Sequence, residues 1–266
     1  MIDTGAADSG PAVRIIGRSS SHFTRVARVF AEELAVPCDL VAVHDMTSLD
    51  PENYAGSPAL KLPILMSDGS AIFGVQNICR ALAELAHPPR RIVWPEDLRD
   101  VQSRNAQELV WHGMQAQVQL VLGTMIAQLP AQNVYFAKAA ASLENVLGWL
   151  DTRLPSIRAA LPPRDVSVFE VALFCLVEHL AFRPTLPVEQ YRRLREFAQE
   201  FATRPSRRSH TSKGQSISVR TIRNAGRSTR TGRLHISWPA SSTTRSSGHK
   251  ERPGCPIVII GRSPIV

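Results

Sequence analysis

Two short apolar segments, residues 13–17 (Val13-Arg14-Ile15-Ile16-Gly17) and 39–43 (Asp39-Leu40-Val41-Ala42-Val43), flank a stretch whose apolar residues recur with helical period. Phe23, Val26, Ala27, Phe30 and Leu34 fall at i, i+3, i+4, i+7 and i+11, which is one face of a helix over 22–35. A strand, a helix and a second strand in this order predict a right-handed parallel βαβ unit, because parallel strands need a crossover between them. That unit restricts the front of the chain to an α/β layer.

A loop rich in Asp, Pro, Asn, Gly and Ser follows at 48–57. Residues 62–66 and 71–73 read as a third and fourth strand joined by Asp68-Gly69, a two-residue hairpin signal, so this pair is antiparallel. Residues 75–86 form the next helix, with Ile78, Leu82 and Leu85 on one side. From Pro95 onward the period is helical: a long helix over 96–129, kinked near Gly113 or Gly123, and further helices over 132–154, 167–182 and 188–202. Ser167-x-x-Glu170 at the head of the third has the pattern of a capping box, with Val166 and Val171 placed as a staple.

Charge divides the chain differently. Residues 207–266 carry 12 of the 31 Lys and Arg and one of the 23 acidic residues, a net of +11, and the other 206 residues a net of −3. The tail is rich in Ser, Thr and Arg and has too little apolar surface to offset the entropy of ordering. It is readable as a basic arm for nucleic acid, as a solvated linker, or as the product of a shifted reading frame. The four cysteines, Cys38, Cys79, Cys175 and Cys255, have neither disulfide-scaffold nor metal-ligand spacing, which fits a reducing, cytoplasmic setting. No metal site, dinucleotide fingerprint or P-loop is present in the sequence, and no membrane span or signal peptide is expected.

Pro63 inside Lys61-Leu62-Pro63-Ile64-Leu65 is unusual by strand chemistry, because proline lacks an N–H and is confined to edges or strand starts, and a cis peptide bond is one solution. With Ser21-His22-Phe23 at the first helix, Ser167-x-x-Glu170-Val-Ala-Leu-Phe at the buried helix and Phe201-Ala202-Thr203-Arg204-Pro205-Ser206 at the last, it resembles the glutathione transferase superfamily over residues 13–206. The resemblance implies a thioredoxin-like βαβ-ββα domain (12–87) and an all-helical domain (95–206); residues 1–11, small and polar, read by composition as a disordered N-terminus, and 207–266 as the basic tail. It implies a cytoplasmic homodimer of detoxifying function, in which glutathione thiolate, as co-substrate, attacks a small electrophile.

The same resemblance implies the site. Ser21, or its neighbours Ser20 and Ser19, would donate to the glutathione sulfur, and the backbone of Leu62, between Lys61 and cis-Pro63, would pair with the cysteinyl part. The Glu-Ser pair that holds the γ-glutamyl end in the family aligns with Gly74-Val75, leaving Gln76 and Asn77 to replace it. His22 also stands where the family has proline. The alternative is a non-catalytic interaction module of the same fold, like those attached to tRNA synthetases and elongation factors. Trp111 and His112 line an electrophile pocket on one reading and pack as core on the other. His179 and Cys79 read as packed core residues.

Overall fold

The computed structural model describes residues 13–204. The expectations for 1–11 and for the basic tail lie outside these residues. Strands β1 (Arg14–Gly17), β2 (Asp39–Ala42), β3 (Ile64–Ser67) and β4 (Ser70–Phe73) form one sheet in the order β2-β1-β3-β4. β1 pairs parallel with β2, and the β3–β4 hairpin joins antiparallel to β1. Helix α1 (His22–Glu33) is the crossover, and α2 (Val75–Glu84) follows β4. This is the expected thioredoxin-like layer.

Helix α1 is buried on more than the one expected face. Val26, Ala27 and Phe30 are buried as the period demands, and His22, Thr24 and Val29 are buried as well. The reason is position: α1 packs on β1 and α2 on one side and on the helical half, through α5, on the other.

The helical half contains α3 (Val101–Leu120), α4 (Val134–Ala160), α5 (Val168–Phe182) and α6 (Arg192–Ala202). Helix α5 is the axis of the core. Twelve of its residues, from Val168 to Leu180, are buried, and α1, α3 and α6 pack around it. Each large side chain so buried contributes about 2 kcal/mol from lost water contact.

Four local expectations change. The long helix begins at Val101, where Asp100 accepts from the Ser103 N–H at 2.8 Å. It passes Gly113 unbroken and becomes a π-helix at Val121–Ile126. Gly123 lies in that segment because a Cβ there would collide with the Phe136 ring. Helix α4 runs through Pro155 to Ala160. Losing one helical bond to proline is offset by the fully buried Ile157 beyond it.

The capping box at α5 does not form. Ser167 Oγ is buried without a partner, and Glu170 turns to Arg164, at 2.7 Å through both carboxylate oxygens, and to Arg158 at 3.3 Å. Two guanidinium groups outcompete one backbone N–H for a carboxylate. Finally, Ile92–Val93 (β5), in the boundary stretch before Pro95, pairs with Val166–Ser167 (β6), at the head of α5, in a small parallel sheet that the sequence reading does not include. Arg91 clamps it: its backbone N–H and guanidinium bond Asp165 at 2.8 and 2.9 Å and hold that carboxyl down to about 2.

Candidate functional site

A cleft of about 640 Å³ opens between the sheet layer and the helices. Its floor comes from the turn between β1 and α1. Ser21 is the N-cap of α1, with extended backbone angles (φ −82°, ψ 129°), and its Oγ accepts from the Thr24 N–H at 3.4 Å. A hydroxyl that accepts from the helix keeps its own proton free to donate. Ser20 also faces the cleft, and its Oγ accepts from Arg18 Nε at 3.1 Å. Ser19 is exposed and does not line the cleft.

The opposite wall is Lys61, Leu62 and Pro63, just before β3, and the Leu62–Pro63 bond is cis. Gly74 and Val75 at the start of α2 complete the front half. Gly74 has φ 85°, a conformation that glycine adopts without cost. Gln76 is exposed and Asn77 donates to the Phe73 carbonyl at 3.1 Å; neither lines the cleft. Thus Ser20, Ser21, Lys61, Leu62 and Pro63 are brought together, while Ser19, Gln76 and Asn77 lie outside.

The helical half supplies Gln115, Val118 and Gln119 from α3, Val121, Leu122 and Ile126 from the π-helical turn, and His179 and Arg183 from the end of α5. Trp111 and His112 do not line it. Trp111 stacks on Phe23 with ring centres 6.2 Å apart, and His112 faces solvent.

Beneath Ser21, His22 and His179 meet edge to face at 4.3 Å between ring centres. Burial, reinforced by His179, lowers His22 to about 3; burial, with Arg183 and Arg25 adding repulsion, lowers His179 to about 4. Both rings are therefore neutral at physiological pH. Cys79, fully enclosed, is pushed far above its ordinary value and is not a nucleophile.

The electrostatics of the cleft are one-sided. Among the described residues Arg18, Lys61 and Arg183 line it, and no Asp or Glu does. None of the three forms an ion pair with a carboxylate among the described residues. The arrangement suits an anionic ligand laid along the serine turn, with an apolar wall facing it. Sequence reasoning passes over Arg18 and Arg183. Arg18 carries a signal, a cation directly after the first strand; Arg183 reaches the site only through helix packing.

The model of the glutathione S-transferase N-terminal domain family matches residues 15–90. No curated protein sequence matches the chain. A glutathione S-transferase from Methylobacterium radiotolerans, solved with glutathione sulfonate, is similar at 19% identity and a TM-score of 0.59, over 79% of this chain and 100% of that one. One from Methylobacillus flagellatus with glutathione bound is similar at 20% identity and 0.59, over 74% of this chain and 98% of that one. Poplar glutathione transferase F1 is similar at 18% identity and 0.56, over 76% and 98%. The family match thus covers the sheet layer, and through the helices the chain carries the fold of the solved glutathione S-transferases.

Proposed function

We propose that the chain is a glutathione-dependent transferase acting on small electrophiles. The observation that carries this reading is the cleft itself: Ser21, at the N-terminus of α1, faces Leu62–Pro63 in a site that, among the described residues, is lined by three cations and no carboxylate. Glutathione has two carboxylates and a thiol that must ionise, so a cationic cleft favours both its binding and its reactive form. Its free thiol ionises near pH ~8.5, and a hydroxyl donor together with the positive end of α1 lowers that value.

The thiolate then attacks the electrophilic carbon. A C–S bond forms, the leaving group departs with its electron pair, and the thiol proton passes to solvent. Ser21 is the activating residue, with Ser20 beside it. Arg18 and Lys61, from the same half as Ser21, hold the carboxylates, and the Leu62 backbone holds the cysteinyl unit. The solved neighbours with glutathione sulfonate or glutathione bound support this use of the fold. The reading includes a cytoplasmic homodimer with a detoxifying role, and domain limits of 12–87 and 95–206.

One feature favours a second reading, a non-catalytic interaction module. Gly74 and Val75 offer no side-chain partner to the glutathione ammonium group, and Gln76 and Asn77 lie off the cleft. Calorimetric titration of the full chain with glutathione separates the two. Binding at millimolar affinity or tighter supports the transferase. No binding heat at several millimolar overturns it and leaves the module.

A further inference from the structure

The cleft holds one more cation than the glutathione carboxylates need, and the third stands apart from the other two. Arg18 and Lys61 belong to the sheet layer. Arg183 follows α5 and shares the helical half of the cleft with Val118, Val121, Leu122 and Ile126.

Arg183 is also held firmly. Its backbone N–H donates to the His179 carbonyl at 2.7 Å, and its own carbonyl accepts from Gln117 Nε2 at 2.9 Å. Gln117 is fully buried; its Oε1 accepts from Thr185 and its amide also meets His179 Nδ1 at 3.3 Å. A buried glutamine that bonds on both sides of Arg183 fixes where that residue leaves the helix. The guanidinium then lies 4.9 Å from the centre of the Phe182 ring. A planar cation positioned by stacking, beside an apolar wall and in no ion pair with a carboxylate among the described residues, is poised for a planar anion.

We infer that Arg183 selects an electrophile that carries a carboxylate on an apolar, ring-sized body. The inference rests on the transferase reading. It assigns the carboxylate to Arg183 and the apolar body to the wall of Val118, Val121, Leu122 and Ile126. Gln117 acts as a positioning residue behind Arg183.

The test compares two probes that differ only in charge: a chloronitrobenzoate and the amide of the same ring. In both, glutathione thiolate displaces chloride: the C–S bond forms and chloride leaves with the C–Cl electron pair. The wild-type chain is expected to prefer the benzoate in kcat/KM. In Arg183→Gln the benzoate-to-amide ratio falls by about tenfold, the effect of one partly solvated charge-assisted hydrogen bond. Arg183→Lys, which keeps the charge, recovers part of the ratio.

A ratio that is unchanged in Arg183→Gln, with the variant's thermal unfolding intact, overturns the inference. So does a loss of glutathione affinity in that variant, which would reassign Arg183 to glutathione. If the wild type binds no glutathione, the transferase reading fails, and calorimetric binding of the two probes still decides. Preference for the benzoate that disappears in Arg183→Gln upholds an anion-selective wall; equal binding of both removes it.

Discussion

Ser21 has two separable roles, and Ser21→Ala removes both. As N-cap its Oγ takes the Thr24 N–H at 3.4 Å, a long bond, so the loss of stability sits at the low end for caps, about 0.5–1 kcal/mol. As donor to the glutathione sulfur it supplies one charge-assisted hydrogen bond, ~1.5–3 kcal/mol. At 1.36 kcal/mol per pKa unit this raises the bound thiol by about 1–2 units. At a pH below both values the thiolate fraction, and with it kcat/KM, falls by roughly 10–100-fold. As pH rises through the raised value the thiol ionises unaided, and the deficit shrinks. The assay is ultraviolet thiolate absorbance of the glutathione complex against pH, run beside kcat/KM. Ser20→Ala, which leaves the cap intact, serves as comparison. Equal thiolate titrations in wild type and Ser21→Ala, or a full shift in Ser20→Ala, would refute the assignment.

The buried Glu170 carboxylate is 4% exposed between Arg164 and Arg158, so Glu170→Gln costs about 3 kcal/mol, read from chemical denaturation midpoints. Val75→Ser places a hydroxyl at the cleft and is expected to tighten glutathione binding, whereas Gly74→Glu forces a side chain onto φ 85° and costs about 1–3 kcal/mol of strain; calorimetry and thermal unfolding check the two. Both buried histidines are held below their ordinary 6.5, to about 3 and about 4, so the unfolded chain takes up their protons first. Their contribution is complete above about pH 6.5 and is lost as pH falls, at about 1.4 kcal/mol per pH unit for each. Urea midpoints between neutral pH and about 5 should show that slope, roughly halved in His22→Gln.

The sheet layer was legible because its signals are local. The i, i+3, i+4 spacing in α1, the Asp68-Gly69 turn and Pro63 each act within a few residues, and they brought Ser21, Lys61 and Leu62 to the cleft. The helical half is governed by packing between distant residues. A π-helical turn at Val121–Ile126 has the same apolar letters as an α-helix; only the Phe136 ring against Gly123 distinguishes them. Pro155 breaks a local rule that the buried Ile157 overrides. Glu170 has the spacing of a cap, but Arg164 and Arg158 decide where its carboxylate goes. Arg183 and Gln115 enter the site for the same reason: which side of α3 and α5 faces Ser21 is set by α1 packing against α5, not by their own sequence.

Arg204 closes the described fold. Its guanidinium pairs with Glu33, the last residue of α1, at 2.9 Å, bonds the Asp165 carbonyl, and lies 4.9 Å from the centre of the Phe201 ring. Ser21 caps the other end of the same helix, twelve residues and thus about 18 Å away along the axis. The described fold therefore ends beside the end of α1 that lies away from Ser21, and Arg204→Ala, which removes the ion pair to Glu33 there, acts on the anchoring of α1 from the end remote from the cleft.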